Sequence, residues 1–266
     1  MSVPQIKATQ LSNAGPSAPV LIAGPSLGTS GTALWASTAA LLDGFTVLAW
    51  DLPGHGNSPA AAEGFSMGEL AAAVHQLVQD AVAAGDISPS QDVHYAGVSL
   101  GGAVGLQLGL DFPKAFTSLA ILCSGAKIGD AEGWETRAET VRNQGTPAVL
   151  IGSAQRWFAE GFIEREKGAS AALLHSLQDA DRFSYAFCCQ ALAAFDVRNR
   201  LAEIQVPVLA VAGAEDVVTP ASFAKLIAGG VPAGRSAVVP DAAHLVPAEQ
   251  PAVTAELLGS FFRAAK

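Results

Sequence analysis

Six short apolar runs recur along this chain, each ending in a loop rich in Gly, Pro, Ser or Asp, and that rhythm leaves little choice of architecture. The runs cover 19–23, 45–50, 93–96, 118–123, 206–212 and 236–239, and helical patterns fill 66–84, 100–110, 220–228 and 251–265. Strands that alternate with helices predict an α/β fold, a mostly parallel central sheet flanked by helices. The alternation stops between Cys123 and Val206, where consecutive helices are expected over 132–143, 147–159, 170–179 and 183–195. An all-helical block between two sheet strands reads as a cap over the strand ends. It divides the chain into a core, 1–125 and 205–266, and an inserted helical cap or lid, 126–204. Ligands of open α/β sheets bind at the carboxyl ends of the strands, so the chemistry is sought at the six exits.

Composition narrows the partners. With 266 residues, half of them apolar and 15% charged, the chain can bury a large core as one α/β domain carrying an insertion. A net charge of −9 argues against nucleic acid and anionic membranes, which both need a basic footprint. It also means that an anionic small molecule needs a local cation. Three cysteines, Cys123, Cys188 and Cys189, form no disulfide framework and no zinc spacing, and read as small buried hydrophobes. The first ten residues lack a basic region followed by an apolar run, and no apolar stretch approaches a membrane span. A soluble, cytoplasmic protein is expected, with a homo-oligomer left open.

The segment 91–113 reads as strand, sharp turn and helix. At the turn, Gly97-Val98-Ser99-Leu100-Gly101 matches G-x-S-x-G, in which small neighbours allow a serine to occupy a strained elbow with its hydroxyl in the cleft. An ordinary βα loop or a phosphate cradle would use similar residues. Neither this loop nor 24–31 fits a dinucleotide or P-loop pattern, however. A serine nucleophile needs a base, and the base needs an orienting acid. In this order of elements the acid follows the serine and the histidine comes last. Only His175 and His244 lie downstream; His175 falls inside an expected cap helix, whereas His244 follows the last strand run. Asp216 lies in the loop after 206–212, where helix capping or turn formation is its bland alternative. Ser99, Asp216 and His244 thus sit at three strand exits in the required order. The backbone N–H of Leu100, with that of Leu27 from the first exit, would form the oxyanion hole. His55, in the Gly- and Pro-rich turn 51–58, is read as structural.

These residues carry a resemblance. The three exit residues and the D-x-P-G-H-G-x-S turn resemble the α/β-hydrolase superfamily over nearly the whole chain. Ser26-Leu27-Gly28-Thr29 with Trp35, the cap segment 126–145, Arg156-Trp157-Phe158 and the segment 185–198 resemble more specifically the 3-oxoadipate enol-lactonase family. The resemblance implies hydrolysis of an unsaturated five-membered lactone bearing an acetate side chain, giving 3-oxoadipate in aromatic catabolism. It implies Ser99 as nucleophile, Asp216 as acid, His244 as base and Leu27 and Leu100 as oxyanion donors, with no metal or organic cofactor. Ser26 belongs to the expected substrate-binding set.

A substrate carboxylate in a closed pocket must meet a cation or several donors. The cap offers Arg137, Arg156 and Arg182, with Trp134 and Trp157 to exclude water and pack on a flat ring. Arg137 is the preferred partner, although each arginine could equally be a solvated surface group. Other activities use the same residues. A general carboxylesterase, a C–C bond hydrolase or a cofactor-free haloperoxidase would share the three exit groups, and a ligand-binding protein could keep the fold without turnover.

Overall fold

Four strands of this protein are buried at every residue, so the sheet has to be covered on both faces. The computed structural model describes residues 3–265. Its sheet comprises β1 (Lys7–Ser12), β2 (Val20–Gly24), β3 (Thr46–Asp51), β4 (Val93–Val98), β5 (Ser118–Leu122), β6 (Val208–Gly213) and β7 (Gly234–Val239). The order is β1-β3-β2-β4-β5-β6-β7, with β1 antiparallel to β3 and every other pair parallel. The six apolar runs match β2 to β7 with shifts of one or two residues at their ends.

Helices α1 (Gly31–Leu41), α2 (Met67–Ala84) and α3 (Leu100–Asp111) fill the first crossovers. Between β5 and β6 lies the helical insert: α4 (Ala131–Gln144), α5 (Leu150–Trp157), α6 (Phe162–Arg165), α7 (Lys167–Asp179) and α8 (Arg182–Ala194). Then come α9 (Ala221–Gly230), the short α10 (Val246–Glu249) and α11 (Pro251–Ala264). Helix α2 packs on α3, α1 packs on α10 and α11, and α9 covers β6 and β7. No helix among the described residues is long and apolar enough to cross a membrane.

The sheet turns at β2. The chain runs from β2 to β3 on one side, then returns to place β4 on the other, so the exits of β2 and β4 lie side by side at a topological switch point. Register makes the adjacency concrete, because Gly24 and Gly97 are paired across the two strands. Besides the single-turn α6 and α10 and the 3-10 turn Arg198–Glu203, β1 and α1 lay outside the sequence reading. β1 is polar and partly exposed along an edge, and α1 is mostly small residues around Leu34 and Trp35, with no apolar stripe. The expected helix over 147–159 begins instead as a 3-10 turn, Thr146–Val149, before α5 continues the chain.

Candidate active site

The elbow after β4 explains the glycines around Ser99. Ser99 has φ +56° and ψ −114°, left-handed backbone in which a side chain is strained by about 1–3 kcal/mol. Neighbouring contacts hold it there. Ser99 N–H donates to the Leu122 carbonyl at 2.9 Å, and the Ser124 hydroxyl donates to the Ser99 carbonyl at 2.7 Å. A Cβ on Gly97 would collide with the Gly101 carbonyl oxygen, and one on Gly101 would lie 2.5 Å from the Pro25 oxygen. The elbow is therefore tight enough that only glycine fits on either side.

Pro25 also joins the two exits at the switch point, since Gly101 N–H donates to its carbonyl at 3.0 Å. The next residues form a fixed turn: Ser26 N–H donates to Thr29 Oγ1 at 3.1 Å, and Thr29 N–H returns to the Ser26 carbonyl at 3.0 Å. Among the described residues, the N–H groups of Leu27 and Leu100 make no hydrogen bond. Two free donors from rigid, adjacent turns suit an oxyanion.

Asp216 is buried in the loop after β6 and is fully committed to hydrogen bonds. Oδ1 accepts from Val218 N–H at 2.8 Å and Thr219 N–H at 3.0 Å; Oδ2 accepts from the Thr219 hydroxyl at 2.7 Å and His244 Nδ1 at 2.9 Å. Burial pushes its carboxyl up, but the hydrogen bond and charge of His244, with the Thr219 bonds, outweigh it and hold the group at about 2. An ionised carboxylate can only accept, so Nδ1 carries a proton, and Nε2 is the nitrogen turned toward proton exchange. His244 N–H donates to the Trp157 carbonyl at 3.1 Å, tying the imidazole loop to the helical insert.

Ser99 and His244 line one cavity of about 390 Å³, together with Ser26, Leu27, Trp134, Arg137, Arg156 and Trp157. The structure thus gathers Ser26, Trp134, Arg137 and Trp157 of the expected substrate-binding set. Asp216 stands behind His244, and Leu100 opens α3 beside Ser99. His175 is exposed on α7, and Arg182 lies over Phe183, outside this cavity.

Arg137 is held like a tool in a clamp. Its Nε and Nη2 donate to the Tyr185 hydroxyl at 2.9 and 2.7 Å, Nη2 donates to Ser153 Oγ at 2.9 Å, and the guanidinium lies 5.6 Å from the Tyr185 ring centre. Arg156 faces the same space. Burial, then the nearby charge of Arg137, lowers its affinity for a proton. Among the described residues neither arginine forms an ion pair. Tyr185 and Ser153 were missed from the sequence: Tyr185 stood in a segment noted for its resemblance, but nothing local marks it as the arginine's partner.

The turn 51–58 serves the scaffold. Asp51 accepts from Gly31 N–H at 2.7 Å and Asn57 N–H at 2.8 Å, while His55 donates through Nδ1 to the Pro53 carbonyl at 2.9 Å and stacks on Tyr185. The three cysteines are free and buried.

A sheet switch point bearing a strained serine, with a buried carboxylate two exits away and its imidazole partner at the third, defines a class. Residues 20–257 match the model of the alpha/beta hydrolase family, and this chain belongs to it. It is similar to 3-oxoadipate enol-lactonase 2 of Acinetobacter baylyi, at 34% identity over 88% of this chain and 84% of that protein. The same organism's 3-oxoadipate enol-lactonase 1 is 30% identical over 94% and 91% of the two chains. The crystal structure of the enol-lactonase from Burkholderia xenovorans superposes with a TM-score of 0.82 at 27% identity, covering 97% of this chain and 95% of that one.

Proposed function

We propose that this chain is a serine hydrolase that opens a lactone or ester through an acyl-enzyme, and that its substrate is an anionic enol-lactone of the 3-oxoadipate enol-lactone type. One observation carries the reading: the cavity that joins Ser99 to His244 also holds Arg137 and Arg156, two cations against the single carboxylate of Asp130, and among the described residues neither arginine is in an ion pair. Two such cations in an acidic protein favour a substrate with a free carboxylate. The named relatives support the lactone itself.

In this mechanism His244 Nε2 takes the Ser99 proton as the hydroxyl attacks the lactone carbonyl. Asp216 keeps the imidazole in the Nδ1–H tautomer and stabilises the imidazolium. The N–H groups of Leu27 and Leu100 receive the oxyanion. Ring opening expels an enolate, a good leaving group, which takes the proton from His244. Water activated by His244 then cleaves the acyl-enzyme. Arg137 binds the carboxylate, Trp134 and Trp157 pack on the ring, Ser26 borders the reacting end, and 126–204 acts as the cap.

The experiment follows loss of enol-lactone absorbance under catalytic amounts of protein, beside a panel of uncharged aryl esters. The expected result is multiple turnovers with the lactone preferred by kcat/KM. A preference for uncharged esters would reassign the chain as a general carboxylesterase. Binding without turnover would make it a ligand-binding member of the family.

A further inference from the structure

Glu249 is a buried carboxylate, forms no ion pair among the described residues, and has no task in the reaction above. A buried charge of this kind is costly unless donors satisfy it. Here three backbone N–H groups do so, and their positions are informative. Oε1 accepts from Ala243 at 3.0 Å and from Leu245 at 3.1 Å, the residues on either side of His244. Oε2 accepts at 2.6 Å from Ala159, two residues past the cavity-lining Trp157. The contact beside it runs the other way, from His244 N–H to the Trp157 carbonyl. Glu160 N–H reaches Glu215, the neighbour of Asp216, at 3.1 Å. The stretch 157–160 is therefore stitched to both loops that carry the acid and the base.

We propose that Glu249 is a positioning residue, a strut that fixes the His244 loop with one oxygen and the Trp157 cavity wall with the other. Substrate seated against Trp157 and the imidazole serving Ser99 then share a single rigid reference. The proposal rests on the reading of His244 as base. If Glu249 only capped the short α10, its removal would lower stability and leave reactivity alone.

Glu249→Gln and Glu249→Ala separate the two halves. Gln keeps one acceptor oxygen, enough for Ala243 and Leu245, and turns an amide donor toward Ala159, so it loosens the wall alone. Ala removes both attachments. The first readout is the rate of covalent labelling of Ser99 by a small fluorophosphonate, which needs the Ser–His unit and no substrate carboxylate. The second is kcat and KM on an aryl ester. Glu249→Gln should label within about threefold of the unmodified protein while KM rises about tenfold, and Glu249→Ala should label about 30-fold more slowly. A folded Glu249→Ala protein that labels at the unmodified rate would overturn the proposal. So would a Glu249→Gln protein with unchanged KM, which decides the matter if the Ala variant does not fold. Absence of labelling in the unmodified protein would overturn the hydrolase reading, and this proposal with it.

Discussion

The sheet exits and the helical insert hold their functional groups by different means. At the exits, main chain takes part in fixing each group: the Ser99 N–H donates to the Leu122 carbonyl within the elbow, and Asp216 accepts from the N–H groups of Val218 and Thr219 as well as from the Thr219 hydroxyl and His244. In the insert, Arg137 is fixed by side chains alone, from residues 16 and 48 positions away. On the proposed reading, reactivity rests on local geometry in which the backbone takes part. Selectivity, on the same reading, rests on pairs of side chains on separate helices, which can be exchanged without touching the elbow.

The largest expected effect tests the backbone half. Ser99→Ala should reduce turnover by about 10⁴-fold or more with the fold intact. Ser99→Gly should be equally inactive yet more stable, by about 1–2 kcal/mol, because glycine accepts φ +56° without strain. Thermal unfolding of the two variants measures this directly. A Gly variant no more stable than the Ala variant would mean that the elbow stores no strain.

The next effect tests the side-chain half. Arg137→Met should lower kcat/KM for a carboxylate-bearing lactone by about 100-fold, the worth of a desolvated charged hydrogen bond, with little change for uncharged esters. Arg156→Met should cost less, about fivefold, since that side chain is exposed and forms no ion pair among the described residues. Equal losses on charged and uncharged substrates would erase the division between reactivity and selectivity.

The last effect is on stability against pH, and it leaves the division between exits and insert untouched. Burial lowers both His55 and His94 from their ordinary 6.5 to about 4. The unfolded chain takes up these protons near pH 6.5, and the folded chain does so only near pH 4. Their contribution is complete above pH 6.5 and is lost as pH falls to 4. Asp216 lies at about 2 because its hydrogen bonds and His244 overcome burial, so its contribution is lost only below its ordinary 3.8. Urea midpoints at pH 7, 5.5 and 4 should fall progressively across about that first window. A flat profile would place solvent or a partner at the buried imidazoles.

These two ways of holding a group also decide what could be read from sequence. The parallel strands were legible because each is a compact apolar run between turn residues. Gly97, Ser99 and Gly101 were legible because the elbow is a local steric demand, and Asp216 and His244 because exit order is linear along the chain. β1 was hidden by its polar edge character and α1 by its mostly small residues, which leave no apolar stripe. The Arg137–Tyr185 clamp and the Glu249 contacts, the latter 90 residues long at Ala159, leave no local trace. Nothing in neighbouring residues announces a partner that the fold brings in from another helix.

Trp157 carries both methods at once: its ring walls the cavity, while its carbonyl holds His244 N–H. The carbonyl belongs to every amino acid, whereas the ring belongs to one. The pocket can therefore be recut at position 157 through many side chains while the imidazole loop keeps its anchor. This makes the position a natural route by which descendants of this enzyme could acquire new substrates without first losing the old chemistry.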